Sequence, residues 1–260
     1  MRKLCFVILL FFSLIPIHCY GIQSHLAHYN ISLGKINNEA QIIDISGKSI
    51  YLLEKKCLGW KINEDFAIVF EFENGSNSQL VSNWSTFETF SGEAFEFELK
   101  EIVNDEEEKF FGYANLISNG GFASYISDTE TKINLSNNVK FPMQHLIKLI
   151  QSAKENKKIF NSKIFIGSEK GQGYRLVTAI LGEKKIEKTS LFLDNLNLDT
   201  YWSVSLAYFD PFSLTGKPEY EMHANIHEEG IITKFEIDYG IFSLNADLIK
   251  IEPVPLNSCE

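Results

Sequence analysis

The stretch Phe66-Ala67-Ile68-Val69-Phe70-Glu71-Phe72, followed after Glu73 by Asn74-Gly75, decides the fold class of this chain. Its aromatic and β-branched residues recur at every second position, which is the pattern of a β-strand. Asn-Gly is the strongest short signal for a β-hairpin, because both residues tolerate the left-handed backbone of a tight turn. The sequence therefore predicts antiparallel strands joined by a short turn at this point.

The same period-two pattern continues in both directions from this hairpin. After Ser91-Gly92, the residues Ala94-Phe95-Glu96-Phe97-Glu98-Leu99 alternate cleanly between apolar and charged side chains, which fits a sheet with one wet face. Further short strands are predicted at residues 28–33, 41–45, 50–54, 79–90, 110–116, 123–127, 131–135, 163–166, 175–181, 191–193, 201–209, 220–226, 231–239 and 242–251. Many short antiparallel strands predict a mainly β fold, as a barrel, a sandwich or a single curled sheet.

One segment departs from the strand pattern. From Pro142 to about Lys157 the apolar residues recur at helical spacing, and Pro142 suits the first turn of a helix. We predict one amphipathic helix here, with Leu146, Ile147 and Ile150 buried against the sheet.

The amino terminus has the features of a secretory signal peptide. Arg2 and Lys3 precede an apolar run that is too short to cross a bilayer comfortably, and small residues follow it, which predicts cleavage after Gly21. Lipidation of Cys19 is the alternative, although His18 stands where a lipobox has a small residue. Because no linker or low-complexity stretch divides the rest, residues 22–260 are predicted to form a single domain exported to the periplasm.

Export leaves two of the four cysteines, Cys57 and Cys259, in the mature chain. An even number of cysteines in an oxidising compartment predicts a disulfide bond between them. Two free thiols or a metal pair are the alternatives, but two sulfurs without convergent histidines make a poor zinc site.

The charge balance excludes one class of partner. Without Arg2 and Lys3 the chain has 22 basic against 34 acidic residues, a net charge near −12, so a nucleic-acid partner is not expected. The acidic run from Asp105 to Glu108 is interpreted as a solvated hairpin tip, with a divalent-cation site as the alternative.

The sequence contains no motif typical of an enzyme. The loop from Gly167 to Gly173 is rich in glycine but lacks the Gly-Lys-Ser/Thr ending of a phosphate loop. The sequence pattern that flanks His223 and His227 is that of a strand, on which four residues span about 13 Å, too far for one metal ion. A carboxylate pair such as Glu96 and Glu98 could serve a glycosidase, but any wet sheet face carries such pairs. We therefore expect no catalytic residue, no metal and no cofactor.

A set of short motifs, in order along nearly the whole mature chain, resembles the EipB family of cell-envelope integrity proteins of alphaproteobacteria. No single motif is specific, but their order and spacing together are. They are Cys57-Leu58-Gly59-Trp60, the strand Phe66 to Phe72, Trp84-Ser85-Thr86-Phe87-Glu88, Ala94 to Leu99, Phe141-Pro142, Phe160 to Ser168, Trp202, Tyr208-Phe209, Pro218 to Met222, Asp238-Tyr239-Gly240, Phe242, Glu252-Pro253 and Cys259.

This resemblance implies a monomeric periplasmic protein whose antiparallel strands curl into a β-spiral with one disulfide, at Cys57 and Cys259. It also implies a role in resisting envelope stress, with no catalytic residue to carry over. A periplasmic tetratricopeptide-repeat protein is the partner that the resemblance implies.

Two functions of different classes stay open on the sequence alone. The protein is either a non-enzymatic adaptor that binds another envelope protein, or a carrier that holds a lipid or lipoprotein acyl chain against a concave apolar sheet. An open apolar cavity of about 300 Å³ or more inside the sheet would favour the carrier.

The disulfide yields a direct prediction. Peptide mass spectrometry of the unreduced mature protein should find Cys57 linked to Cys259, and the Cys57→Ser, Cys259→Ser double variant should keep its β-rich circular dichroism but melt many degrees lower. Two alkylatable thiols in freshly isolated protein would contradict the bond.

Overall fold

The computed structural model describes residues 21–37, 39–127, 129–189 and 198–255. The described part of the chain is mainly β, as predicted, with fifteen strands and one helix. The elements are β1 (His25–Ile36), β2 (Ile42–Lys55), β3 (Gly59–Phe72), β4 (Asn77–Thr89), β5 (Ala94–Val103), β6 (Glu106–Ile117), β7 (Gly120–Ile126), β8 (Glu130–Leu135), β9 (Val139–Lys140), α1 (Pro142–Lys154), β10 (Ile159–Ile164), β11 (Arg175–Ile186), β12 (Thr200–Phe209), β13 (Tyr220–Ile226), β14 (Ile232–Asp238) and β15 (Phe242–Pro253). The predicted strand at 191–193, the signal peptide as far as residue 20, and Cys259 lie outside the described residues.

All fifteen strands belong to one sheet. From one edge to the other, the strand order is β8-β7-β6-β5-β4-β3-β2-β1-β15-β14-β13-β12-β11-β10-β9. Every pair is antiparallel except β9 with β10. The first and last strands therefore pair in the middle of the sheet, while β8 and β9, neighbours in sequence, form its two edges. The sheet curls into a nearly closed, barrel-like shape, as predicted.

The hairpin that decided the fold class joins β3 to β4. Gly75 has a φ of 80°, in the left-handed region that favours glycine, and its N–H donates to the carbonyl of Phe72 at 2.9 Å. The Asn74 side chain accepts a hydrogen bond from the Ser76 N–H at 2.9 Å. The predicted turn is confirmed.

Side chains of β5 show which face of the sheet is inside. Phe95, Phe97 and Leu99 are buried, whereas Glu96 and Glu98 point outward, and Glu98 pairs with Lys109 of β6 at 3.1 Å. The inward aromatic rings pack against residues that flank β9 and β10. Phe95 stacks on Phe141 with a centroid distance of 5.0 Å, and Phe97 meets Phe165 edge-on at 5.7 Å. These contacts hold one wall of the sheet against the segments at its far edge.

The helix α1 closes one end of the barrel. Its Met143 packs with Leu53 and Ile62 of β2 and β3, while its Leu149 and Ile150 belong to the cluster formed with β11, β12 and β13. Because α1 touches walls on both sides, it spans the interior rather than lying on the outer surface. No helix among the described residues is long and apolar enough to cross a lipid bilayer.

The predicted helix is confirmed, although it ends at Lys154, three residues before the predicted end. Its burial differs in part from the prediction. Ile150 is 6% exposed, as expected, but Leu146 and Ile147 are only partly buried, and Met143 and Leu149 fill the core in their place. The apolar face of α1 is narrow and packs against two walls of the sheet. Leu146 and Ile147 lie at the edges of this face and therefore stay partly exposed.

The burial of Ile150 can be measured. Ile150→Ala should lower the free energy of unfolding by about 2–4 kcal/mol, because it leaves a cavity between the helix and the sheet. The control Lys148→Ala, on the exposed side of the same helix, should change it by less than about 0.5 kcal/mol. Equal effects of the two substitutions in chemical denaturation would contradict this position of α1.

Candidate functional site

The interior of the sheet contains a cavity of about 430 Å³, beside β1 to β4 and β14 to β15. This volume lies in the range of small-molecule sites, about 300–1,000 Å³. Most of its lining is apolar: Ile31, Phe66, Ile68, Phe70, Leu80, Phe235, Ile237, Tyr239, Phe242, Leu244 and Ala246. Ser49, Glu64 and Asn245 also line it, but alternation along β15 directs the Asn245 side chain away from the interior.

Small residues at inward positions leave this space unfilled. One cross-strand row runs Ile68, Gly47, Ile31, Ala246 and Phe235 through five neighbouring strands. Gly47 adds no side chain to this row, and a Cβ there would lie 2.5 Å from the Ala67 carbonyl oxygen. Gly47 and Ala246 contribute almost no side-chain volume to this row. The space in front of them therefore stays open between the larger side chains of the row.

The cavity opens toward the end of the barrel opposite α1. That rim carries the β3–β4 and β14–β15 turns, and Tyr239, at the second of these, is 44% exposed while it lines the cavity. A row of aromatic rings runs along the rim from β12 to the cavity. Its successive centroid distances are 4.5 Å (Tyr208 to Tyr220), 6.1 Å (Tyr220 to Tyr239) and 5.2 Å (Tyr239 to Phe242).

A buried cation anchors the outer end of this aromatic row. Arg175 donates to Glu219 at 2.6 Å and to Glu169 at 2.7 Å, and its guanidinium lies over the ring of Tyr220. Its side chain is only 7% exposed. The glycine-rich loop predicted at 167–173 supplies Glu169, so the loop has a structural contact that fixes one side of the rim.

Glu64 is the one carboxylate that lines the cavity. It occupies an inward position in the middle of β3, opposite Tyr51 of β2 and Trp84 of β4. Ser49 donates to its Oε1 at 3.2 Å. Burial, with the nearby Asp65 charge as a smaller cause, raises the pKa of Glu64 above its usual range.

A second inward carboxylate, Glu88, fixes α1 at the closed end. The residue before the helix, Phe141, has no side chain that can cap it. Glu88 of β4 does so instead, because its two oxygens accept the N–H groups of Met143 at 2.7 Å and Gln144 at 2.8 Å. Burial raises the pKa of Glu88 to about 7, against the opposing effect of these two hydrogen bonds.

The pKa values of two buried histidines, His145 and His227, are shifted downward, opposite to the shift of Glu88. His145 of α1 contacts the Ser162 hydroxyl at 2.8 Å, and His227 contacts Thr233 at 3.0 Å. Burial lowers the pKa of each to about 4. Among the described residues, no carboxylate hydrogen-bonds to either imidazole, as the orienting partner of a general base would.

The remaining residues singled out from the sequence are scattered. Glu96 and Glu98 face outward, away from the cavity. Of the acidic run predicted as a hairpin tip, Asp105 lies in the β5–β6 turn, whereas Glu106 to Glu108 are exposed residues at the start of strand β6. His223 lies on β13 beside Ser205, and His227 follows that strand. In residues 21–255, apart from the undescribed gaps, no three His, Cys, Asp or Glu side chains are arranged to hold a metal ion.

The predicted disulfide is not tested by this geometry. Cys57 lies in the turn between β2 and β3, at the end closed by α1, and Cys259 is outside the described residues. The bond stays a prediction.

Sequence reasoning missed Glu64 and Glu88 as buried groups, although a signal was present. Both stand where the alternation of a strand calls for an apolar side chain. On β3 the inward series is Trp60, Ile62, Glu64, Phe66 and Ile68. A charged residue in such a series marks a polar group that faces the interior.

Glu88 makes stability depend on pH in a predictable direction. Its folded pKa of about 7 exceeds its ordinary 4.5, so the folded protein holds the proton more tightly than the unfolded chain. Its contribution to stability is therefore full below about pH 4.5 and is lost as the pH rises through about 7. The free energy of unfolding of wild type minus that of Glu88→Gln should fall by on the order of 3 kcal/mol between about pH 4.5 and pH 8.

The comparison with Glu88→Gln isolates this group. His145 and His227 are present in both proteins, so their opposite pH dependence cancels in the difference. A difference that stays constant or increases with pH in denaturant titrations would show that Glu88 is not the buried acid that the structure places there.

Three comparisons relate this chain to known proteins. A family model described as EipB-like matches residues 18–255. The cell envelope integrity protein EipB of Brucella abortus (strain 2308) is 24% identical over 233 residues, covering 88% of this chain and 83% of that protein. The crystal structure of a β-barrel-like protein of a domain of unknown function from Brucella abortus superimposes with a TM-score of 0.85 at 24% identity, over 90% of this chain and 99% of the other. Because the family model spans most of its length, the chain belongs to the EipB-like family.

Proposed function

We propose that this protein is a non-enzymatic component of the cell envelope that supports envelope integrity by binding the hydrocarbon chain of a lipid or lipoprotein. The envelope role is supported by the similarity to the Brucella abortus protein whose name states it. The predicted signal peptide supports a periplasmic location. Binding of a hydrocarbon chain is carried by one observation, the apolar cavity of about 430 Å³ inside the sheet.

The chemistry of the cavity matches this ligand. Its wall consists mainly of phenylalanine, isoleucine and leucine side chains, and it opens at the rim beside Tyr239. Each buried methylene contributes about 0.8 kcal/mol, so a chain of about eight carbons gains roughly 6 kcal/mol before the costs of ordering. A site of this kind binds and releases its ligand without any catalytic group.

A larger hollow of about 810 Å³ lies on the outer face of β3 to β6, but it is a poorer ligand site. Its lining includes Lys61, Glu96, Glu98, Lys109 and Phe111, all on the outward face. One face of a sheet cannot surround a ligand, and these charges are already paired in part, as between Lys109 and Glu98.

The same outer hollow favours a second candidate function, an adaptor that docks another envelope protein. Phe111 is 50% exposed and Phe122, nearby on β7, is 40% exposed. Exposed aromatic rings bordered by charges are typical of protein interfaces. The tetratricopeptide-repeat partner implied by the family resemblance stays a prediction.

The cavity can be tested by filling it. Leu244→Trp places a large ring into the cavity from a half-buried lining position, and Ile249→Trp places the same ring on the outward face of the same strand. Binding of N-phenyl-1-naphthylamine, an uncharged apolar fluorophore, should weaken at least about tenfold in Leu244→Trp and stay unchanged in Ile249→Trp.

Both variants should first be shown to melt within a few degrees of wild type, so that loss of binding is not loss of fold. Native mass spectrometry of protein taken from the envelope should then find a co-purifying apolar molecule in wild type and less of it in Leu244→Trp. A protein partner without any bound lipid, together with equal fluorophore binding by both variants, would reverse the choice in favour of the adaptor.

A further inference from the structure

We propose that the cavity selects uncharged, mainly hydrocarbon ligands that carry a hydroxyl or amide group, and that Glu64 is the residue that recognises this group. The inference rests on the proposed function and narrows it to a class of ligand. It depends on where Glu64 lies, on its unused hydrogen-bonding capacity and on the charge of the wall around it.

Glu64 lies deep in the wall rather than at the rim. It is at the sixth position of the fourteen-residue strand β3, on the α1 side of the apolar residues Phe66, Ile68 and Phe70. These three line the cavity between Glu64 and the open end. A ligand that enters from the rim therefore passes hydrocarbon wall before its polar group reaches Glu64.

The carboxyl of Glu64 has capacity left for a ligand. Ser49 occupies Oε1, and among the described residues no side chain or backbone group donates to Oε2. The side chain remains partly accessible because it faces the cavity, although protein surrounds it. An ionised carboxylate has about four acceptor positions, and a protonated one can also donate, so either form can bind a hydroxyl or an amide.

The charge of the wall excludes an anionic group in this position. Among the residues that line the cavity there is no lysine or arginine, and the only charged side chain is Glu64 itself. A carboxylate or phosphate would meet a like charge in an enclosed apolar space with no cation to neutralise it. The head group of an anionic lipid would have to stay outside, at the rim.

A cationic group is also disfavoured, though for a different reason. An ammonium would pair with Glu64, but both charges would then lose their water inside a mainly apolar wall, where the Ser49 hydroxyl is the group that hydrogen-bonds to Glu64. The desolvation of such a pair often exceeds its Coulombic gain. An uncharged hydroxyl or amide has a much smaller desolvation free energy and can still donate a hydrogen bond to Oε2 of Glu64.

The test uses four competitors with the same chain: 1-octanol, 1-methoxyoctane, octanoate and octylammonium. Each displaces N-phenyl-1-naphthylamine from wild type, Glu64→Gln, Glu64→Leu and Glu71→Leu. The last is a control, because Glu71 lies exposed on the outward face of the same strand. The ratio of inhibition constants within one protein removes any change in affinity for the fluorophore itself.

In wild type, 1-octanol should bind about tenfold tighter than 1-methoxyoctane, which accepts a hydrogen bond but cannot donate one. Glu64→Gln should keep most of this preference, Glu64→Leu should lose it, and Glu71→Leu should match wild type. Octanoate and octylammonium should be the weaker competitors in wild type.

Other results would overturn the inference in distinguishable ways. Displacement by all four compounds without dependence on Glu64 would refute this recognition and leave the apolar cavity intact. Tightest binding by octylammonium, lost in Glu64→Gln, would make the ligand a cation, and tightest binding by octanoate would reverse the charge argument. If wild type binds neither the fluorophore nor any competitor, the proposed function itself fails.

Discussion

The structure depends on aromatic packing between two parts of the sheet whose edge strands, in the described part of the chain, share no ladder of backbone hydrogen bonds. β8 and β9 are the edges of the fifteen-strand order, so the barrel is not closed by a ladder of backbone hydrogen bonds. Phe95 and Phe97 on β5 instead meet Phe141 and Phe165, which flank β9 and β10. Offset and edge-on aromatic pairs contribute about 0.5–1.5 kcal/mol each beyond the burial of their area, and here several share the same rings.

This packing also sets the position of the helix. Phe141 is the residue from which α1 begins, so the stack that joins the walls also aims the helix into the barrel. Glu88, from the strand next to Phe95, then accepts the first free N–H groups of α1. One end of the barrel is closed by these linked contacts. The cavity and the aromatic row of the rim lie toward the opposite end of the barrel.

The sequence predicts the local elements well and the closure poorly, for physical reasons. Alternation, Asn74-Gly75 and the helical spacing after Pro142 are local signals, and the structure confirms the strand, turn and helix that they predicted. The order of fifteen strands depends on pairing between distant segments, such as β1 with β15, which local periodicity does not encode. Here the family resemblance supplied what periodicity could not, a single curled sheet. The position of the cavity could not be predicted for the same reason. It depends on the side-chain sizes of several strands that are distant in sequence, and no local motif encodes it.

The cavity has an explanation in the distribution of residue sizes along the inside of the barrel. Phenylalanine and tyrosine side chains fill the interior next to β5, β6 and β7. The helix α1 and Trp202 fill the interior next to β11, β12 and β13. Between them the inward positions hold Gly47, Ser49 and Ala246, together with the carboxyl of Glu64. Larger apolar residues in place of Ser49 and Ala246 would bury more area, and an apolar side chain in place of Glu64 would avoid the cost of its desolvation. A chain optimised only for stability would fill this region at Ser49, Glu64 and Ala246, and these are the residues that keep the proposed binding site open.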